Sequence, residues 1–268
     1  MLDNVDLALS LSDQAFKPLR LLQRQRLYDL EKQAFDARLP TMIVFEGFDA
    51  AGKGTTIRTL TQRLDPRGFK VYPIQAPRTH ELKMPWLWRF WMKIPSRGQI
   101  AIFDRSWYGR VLIERVEGLT PIPDWIRAYE EINDFERTLA DDGAVIIKFW
   151  LHISREEQRR RFILLANDPE NAWQVTAEDW ERHRKYHEYL AAVKDMLTST
   201  HTPYAPWTVV PATDVNYRVY SVFKTIIDRL ESALGVEPTQ WPEAAGLAAE
   251  AAEAKPKDKR KGKSKNKD

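Results

Sequence analysis

Five short apolar runs, separated by charged segments, constrain the fold of this 268-residue chain more than any other feature. Most runs are continuously apolar rather than alternating, a pattern typical of parallel strands that are buried on both faces. The intervening segments have the apolar spacing of amphipathic helices. This alternation predicts an α/β fold with three layers, in which helices cover both faces of a parallel five-stranded sheet. The predicted strands are residues 41–46, 69–75, 99–104, 145–152 and 207–212, and the predicted helices are residues 19–37, 53–64, 81–92, 122–139, 154–165, 177–197 and 215–230.

The stretch GFDAAGKGT connects the first predicted strand to the next helix. Successive backbone N–H groups in such a turn, together with the helix N-terminus, form a cradle for an anion, and a lysine adds positive charge. Glycine lets the backbone approach a ligand closely. The sequence therefore predicts phosphate binding, with an ordinary strand-to-helix turn as the alternative. The predicted phosphate-binding residues are Ala51, Gly52, Lys53, Gly54 and Thr55.

Two carboxylates predict a metal near this loop. Gly54 stands where a Walker A loop has a serine or threonine that helps to hold magnesium, and Asp49 lies inside the loop. A carboxylate beside a phosphate repels it unless a divalent cation lies between them. We therefore expect Asp49 to hold a metal or to orient the attacking phosphate, although an aspartate that only stabilises the turn is the alternative. Asp104 ends the apolar run IAIFD, as a Walker B aspartate does, and can share the metal if the two strands are parallel.

Several arginines follow Asp104 directly. Arg105 is the next residue, and Arg110 and Arg115 flank Glu114 shortly afterwards. Guanidinium groups suit phosphate binding and the charge that develops in a transition state. We predict a catalytic role for Arg105 and substrate binding by Arg110, Glu114 and Arg115. A solvated helix face with internal ion pairs remains the alternative for the last three.

Charge is distributed unevenly along the chain. The net charge is +3, but residues 255–268 contain eight basic and two acidic residues, so residues 1–254 have a net charge of −3. We expect residues 236–268 to form a disordered, low-complexity and Lys-rich tail, which either attracts a polyanion or only increases solubility. The chain has no cysteine, no clear signal peptide and no apolar run long enough for a membrane helix. These features favour a cytoplasmic protein.

Three stretches together resemble the family-2 polyphosphate kinases. They are EGFDAAGKGTTI, IAIFDRSWYGRVLIERV, and VIIKFWLHIS followed by EEQ, with APW much later. The resemblance extends from about residue 19 to residue 234. It implies a P-loop kinase fold and magnesium-dependent phosphoryl transfer between inorganic polyphosphate and a nucleotide, from AMP to ADP or from ADP to ATP. Segments such as TAEDWERH are most similar to the domains that phosphorylate AMP.

The resemblance also implies an organisation and a set of partners. Residues 1–40 would be an N-terminal helical extension and residues 41–235 the kinase domain, with a helical lid at about residues 154–198. Asp49 and Asp104 would hold Mg²⁺, with Mn²⁺ as an alternative ion, while Lys53 and Arg105 would stabilise the transferred group. Arg161, in the lid segment SREEQRRRF, would contact polyphosphate, although helix-stabilising ion pairs explain that segment equally well. Adenine or guanine nucleotides and a homodimer or homotetramer are the other expected partners, without a membrane or specific nucleic acid.

The sequence departs from the family pattern at several cationic positions. Gln174 stands where the lid has a lysine, Leu165 or Ala166 where it has an arginine, and Val215 where a lysine follows an aspartate near the end. Two other functions remain open. An ATP-dependent nucleoside monophosphate kinase would keep a hydroxyl at position 54. A nucleic-acid-binding protein with a P-loop would need a basic domain, which residues 1–254 do not provide.

Overall fold

Five parallel strands form the centre of the protein. The structure is a computed structural model that describes residues 1–241, so most of the predicted tail lies outside the described residues. The strand order is β2-β3-β1-β4-β5, and every neighbouring pair is parallel. The predicted α/β fold with a parallel five-stranded sheet is therefore confirmed. The strands are β1 (Thr41–Gly47), β2 (Phe69–Pro73), β3 (Ile100–Asp104), β4 (Val145–His152) and β5 (Trp207–Pro211).

Helices cover both faces of this sheet. On one side α2 contacts β1 and β3, α9 contacts β4 and β5, and α1 packs on α9; on the other side α5 contacts β4, and α4 and α8 pack against α5. The α-helices are α1 (Asp13–Asp36), α2 (Lys53–Thr61), α3 (Trp88–Trp91), α4 (Ile113–Val116), α5 (Ile122–Asp141), α6 (Arg155–Ala166), α7 (Ala177–Arg184), α8 (Tyr186–Thr200) and α9 (Val215–Leu234). Short 3₁₀ helices lie at Leu2–Asn4, Glu81–Lys83, Trp107–Arg110 and Ala172–Gln174.

The sheet brings the candidate residues to one edge. β1 lies between β3 and β4, and Phe45 is in register with Asp104. Because the strands are parallel, the loop after β1 and the turn after β3 begin side by side. β1 and β4 are almost fully buried, whereas the edge strand β2 is partly exposed and ends at Pro73, two residues earlier than predicted.

Side-chain caps fix where the helices around this edge begin. The Ser154 hydroxyl accepts a hydrogen bond from the Glu157 backbone N–H at the start of α6. Thr176 and Asp179 form a reciprocal capping box at the start of α7, and Asp214 caps α9. Such caps satisfy backbone N–H groups that have no partner inside the helix. The helices predicted over residues 154–165 and 215–230 agree with α6 and α9, which begin directly after residues of favourable cap chemistry.

Two predicted helices differ from the structure. The single helix predicted over residues 81–92 is wrong: a 3₁₀ turn and the one-turn α3 lie on either side of Pro85. Proline has no N–H and disfavours a helical residue before it, and Met84 is accordingly extended. The helix predicted over residues 177–197 is divided at Lys185, whose ammonium group donates to Glu117 at 2.6 Å. No helix within residues 1–241 is long and apolar enough to cross a membrane.

Candidate active site

The loop after β1 has the backbone of an anion cradle. Gly52 adopts a left-handed conformation (φ +97°) directly before α2, and Ala50 also has a positive φ of 59°. A Cβ atom on residue 52 would collide with the guanidinium group of Arg218. The positive φ therefore favours glycine at position 52, and a side chain there would also require the Arg218 guanidinium group to move. Position 54 is different, because a Cβ atom there would meet no atom within 4 Å.

Lys53 begins α2 but turns back over the loop. Its ammonium group donates to the carbonyl oxygens of Gly47 at 2.8 Å and Phe48 at 3.1 Å. Burial lowers the pKa of Lys53, as does the positive charge of Arg105, while nearby carboxylates act in the opposite direction. Lys53 thus lies at the phosphate cradle with its charge close to both predicted acids.

Asp49 joins three parts of the molecule. Its Oδ1 accepts a hydrogen bond from Arg105 at 2.7 Å, and its Oδ2 accepts one from Arg182 of α7 at 3.0 Å. Arg182 is held in turn by Asp179 at 2.7 Å. The carboxylate therefore connects the loop to the turn after β3 and to the helices after β4. Its two arginine partners carry guanidinium groups, which also suit phosphate binding.

As predicted, Asp104 ends β3 in the same cleft as Asp49, but the hydrogen bonds of the two residues differ. The Asp104 backbone carbonyl accepts from Ile74 at 3.0 Å, while no hydrogen bond within residues 1–241 involves its carboxylate. In that part of the chain no three His, Cys, Asp or Glu side chains are placed to hold a metal ion. Two carboxylates with phosphate oxygens and water are an ordinary Mg²⁺ coordination set, so Asp104 and Asp49 fit this ion.

Arg105 follows Asp104 in a strained conformation. Its φ is +62°, and its backbone N–H donates to Phe45 at 3.0 Å. Arg105 lines a large cleft above the phosphate cradle, a second cleft beside Trp86 and a small cavity under Arg182. A guanidinium group at this junction can contact groups bound on either side.

The predicted lid lies against the phosphate cradle. Arg161 of α6 donates to the carbonyl oxygen of Ala50 at 2.9 Å and to that of Ala212 at 2.7 Å. Gln158 donates to the Asp49 carbonyl oxygen at 3.1 Å and is bonded to the buried His183 of α7 at 2.8 Å. In segment SREEQRRRF, Arg160 and Arg161 pair with Glu157 of the same helix and also line the large cleft, so the helix-stabilising ion pairs are present while the polyphosphate contact stays a prediction.

Arg218 is a site residue that the sequence did not reveal. It lies on the first turn of α9 and donates to the Ala51 carbonyl oxygen at 3.0 Å and the Thr55 hydroxyl at 3.2 Å. Burial lowers its pKa to about 10, and the positive charge of Arg161 acts in the same direction. It brings a cation to the loop from the first turn of α9.

The large cleft is suited to a polyanion. Its volume is about 750 Å³, and six cations line it beside only two carboxylates, those of Asp49 and Asp104. The cations are Lys53, Arg58, Arg105, Arg160, Arg161 and Arg218. Clefts lined by one sign of charge concentrate ligands of the other sign.

The second cleft, of about 250 Å³, receives Arg110 and Glu114. Arg110 forms an ion pair with Glu114 at 2.9 Å and lies over the Trp86 ring at 4.9 Å from its centroid. Arg115 lies elsewhere: it donates to Tyr129 and Asp195, both at 2.8 Å, and lines neither cleft. The structure therefore brings Arg110 and Glu114 to Arg105 but does not bring Arg115 there.

Comparison with known proteins gives one family. A sequence model described as Polyphosphate kinase 2 (PPK2) matches residues 10–237. A Pseudomonas aeruginosa protein named polyphosphate:AMP phosphotransferase is 45% identical over 233 residues, covering 87% of this chain and 47% of that protein. A Meiothermus ruber AMP/ADP-polyphosphate phosphotransferase is 37% identical over 218 residues, covering 81% of each. The solved polyphosphate kinase 2 of Arthrobacter aurescens has a TM-score of 0.84 at 30% identity, covering 95% of this chain and 93% of that one.

The relatives differ in length from this chain. It spans about half of the Pseudomonas protein and of two similar bacterial proteins with the same name. It corresponds more closely in extent to the Meiothermus and Arthrobacter proteins.

Proposed function

Because the chain belongs to the polyphosphate kinase 2 family, we propose that it transfers a phosphoryl group between inorganic polyphosphate and a nucleotide, converting AMP to ADP or ADP to ATP. The observation that carries this proposal is the position of Arg105 between a large cationic cleft and a second cleft beside an aromatic ring. The names of the relatives support both substrates, and AMP is the acceptor named for the 45% identical relative.

Polyphosphate occupies the large cleft in this proposal. Its terminal phosphates lie on the N–H groups of residues 51–55 and beside Lys53, while the chain extends along Arg160, Arg161 and Arg218. Each cation replaces a counterion of the polymer, so affinity should fall as salt rises. Arg218 contributes a positive charge on the helix where the family lysine is replaced by Val215.

The nucleotide occupies the second cleft. The Trp86 ring, over which the Arg110 guanidinium group already lies, provides the aromatic surface for a base in this cleft. Arg110 and Arg105 lie toward the phosphate end of such a nucleotide. An adenine or a guanine fits this stacking equally, since both bases have a π-face.

The chemistry is in-line transfer of a phosphoryl group between two phosphate oxygens. Lys53 and Arg105 stabilise the negative charge on the moving group, and the closed lid excludes water that would otherwise accept it. Asp104 and Asp49 would hold Mg²⁺, with Mn²⁺ as the alternative ion, and the ion would supply positive charge that neutralises the phosphates. In that role Asp49 would give up its hydrogen bonds from Arg105 and Arg182, and both guanidinium groups would then be available to the phosphates.

Other features stay predictions from the sequence. These are the cytoplasmic location, the homodimer or homotetramer, and the domain boundaries at residues 40 and 235. Exposed apolar side chains near α3 and at the start of α5 support an interface between subunits: Trp91 is 39% exposed, Met92 66% and Ile122 64%.

An assay of donors and acceptors tests the function. The purified chain is incubated with Mg²⁺ and AMP, ADP, GMP or GDP, with polyphosphate or ATP as the only donor. We expect ADP to form from AMP with polyphosphate and no ATP. Transfer that requires ATP would instead identify a nucleoside monophosphate kinase, and no transfer from either donor would overturn the proposal.

A further inference from the structure

A buried ion pair lies behind the turn that contains Arg105. Glu136 of α5 and Lys148 of β4 are both fully buried, and their charged groups are 2.7 Å apart. Lys148 also donates to the carbonyl oxygen of Thr200 at 2.9 Å. The pair therefore joins α5, β4 and the end of α8. It lies outside the two clefts that are proposed to receive substrate.

The pair holds the residues that follow Arg105. Glu136 Oε1 accepts hydrogen bonds from the Trp107 indole at 3.0 Å and from the Tyr108 hydroxyl at 2.7 Å. Lys148 donates to the same Tyr108 hydroxyl at 2.7 Å. One carboxylate oxygen thus fixes two consecutive aromatic side chains, both about 1% exposed or less.

Arg105 needs such support because its backbone is strained. A φ of +62° is uncommon for a residue with a Cβ atom and persists only where the surroundings enforce it. On its N-terminal side Arg105 is fixed by β3, and on its C-terminal side the Ser106 hydroxyl donates to Glu46 at 2.8 Å. The next two side chains are fixed by Glu136 and Lys148.

We propose that Glu136 and Lys148 are positioning residues for Arg105, which act through Trp107 and Tyr108 and keep its guanidinium group at the junction of the two clefts. The kinetic part of this inference rests on the proposed phosphotransferase function, whereas the geometric part does not.

Stability alone does not account for this arrangement. Burying two charges is costly, and apolar residues of similar size often replace a buried pair with no loss of stability. The ion pair supplies what apolar residues cannot, namely an acceptor for two donors at a fixed place. Substitutions at these two residues can therefore distinguish an effect on catalysis from an effect on stability.

The main test replaces both partners, as Glu136→Met with Lys148→Met, which leaves no single buried charge. We expect a cooperatively folded protein in which kcat falls about 10- to 100-fold while KM for the nucleotide stays within about two-fold, as expected for loss of an interaction made in the transition state. A crystal structure of the variant should show the Arg105 guanidinium displaced from Asp49. Tyr108→Phe removes one hydroxyl and provides a second test if the double variant does not fold. We expect this variant to lower kcat about three-fold or more.

The matched control is Arg26→Met with Glu231→Met, which removes a 2.7 Å ion pair between α1 and α9, on the other side of the sheet. We expect a lower melting temperature with unchanged kcat. Unchanged kcat in folded Tyr108→Phe, or an unmoved Arg105 with normal kcat in the double variant, would overturn the positioning role. If the unsubstituted protein transfers no phosphate, the proposed function fails, and the position of Arg105 in the crystal structures still decides the inference.

Discussion

At the scale of single residues, the two candidate metal ligands differ in what surrounds them. Asp49 accepts hydrogen bonds from two arginines, whereas no hydrogen bond within residues 1–241 involves the Asp104 carboxylate. A carboxylate without such partners contributes little to the fold and can bind a cation without first releasing another group. Asp104 should therefore affect activity without affecting stability.

We expect Asp104→Asn to lower kcat at least about 100-fold, because a metal ligand supplies several kcal/mol of transition-state stabilisation. The melting temperature without ligand should change by no more than about 1 °C. Turnover and thermal unfolding measured on the same preparation check both parts. Near-normal turnover in a folded variant would remove Asp104 from the site.

Glu31 of α1 provides a test of electrostatics away from the clefts. It is 5% exposed, and burial raises its pKa from 4.5 to about 6. A raised pKa means that the folded state binds the proton more tightly than the unfolded state. The native protein therefore loses stability from this group as the pH rises from about 4.5 to about 6, by about 2 kcal/mol in total.

Glu31→Gln should abolish this dependence, because the amide does not titrate and its oxygen can still accept from the Asp65 backbone N–H. Urea unfolding of both proteins at several pH values gives the difference in unfolding free energy. We expect this difference to shift in favour of the variant by about 2 kcal/mol between pH 4 and pH 7. A difference independent of pH would show that Glu31 has an ordinary pKa.

The sequence predicted some site residues and not others for a physical reason. Lys53, Asp104 and Arg105 lie in continuous motifs, so local spacing sufficed to propose them as site residues. Arg182 and Arg218 reach the loop from 133 and 167 residues away, and single helical arginines give no sign of such a contact.

At the scale of elements, α6 and α7, which lie within the predicted lid at about residues 154–198, contact the loop after β1 through a few specific hydrogen bonds. Arg161 and Gln158 bind backbone carbonyl groups of the loop, and Arg182 binds Asp49. The first two contacts involve backbone carbonyl groups, whereas the third involves the carboxylate of Asp49, which we propose as a metal ligand. We therefore expect the contact between Arg182 and Asp49 to control opening of the predicted lid more directly than the other two contacts.

We expect Arg182→Met to increase amide hydrogen exchange in residues 155–184 about ten-fold or more, because hydrogen bonds between charged groups contribute about 1.5–3 kcal/mol. The control is Arg184→Met on the same helix, which removes an exposed pair with Glu181 and should change exchange little. Equal exchange in both variants would mean that the Arg182–Asp49 contact does not hold the lid.

Element prediction succeeded where burial is strong. The runs that became β1 and β4 are almost completely buried, so their continuous apolar pattern was unambiguous. The prediction of one helix over residues 81–92 was wrong. The aromatic side chains there have helical spacing, but Pro85 prevents a continuous helix. The predicted helix is divided at Lys185 although no glycine or proline lies there. Lys185 pairs with Glu117, a residue distant in sequence.

At the scale of the whole molecule, parallel strand order explains how separate motifs form one site. β1 and β3 are adjacent, so the phosphate cradle and Asp104 meet at the carboxyl edge of the sheet. The surrounding clefts are cationic although residues 1–254 have a net charge of −3. Basic residues are thus concentrated where a polyanion would bind.

The most direct test of the account follows both substrates by ³¹P NMR. The chain is mixed with Mg²⁺, AMP and polyphosphate of defined length, without ATP, and Asp104→Asn serves as the control. We expect phosphate lost from the polymer to appear as the β-phosphate of ADP in equal amount, with little orthophosphate and no reaction in the variant. Release of the lost phosphate as orthophosphate, or an unchanged polymer in the presence of active, folded protein that uses ATP, would contradict transfer from polyphosphate.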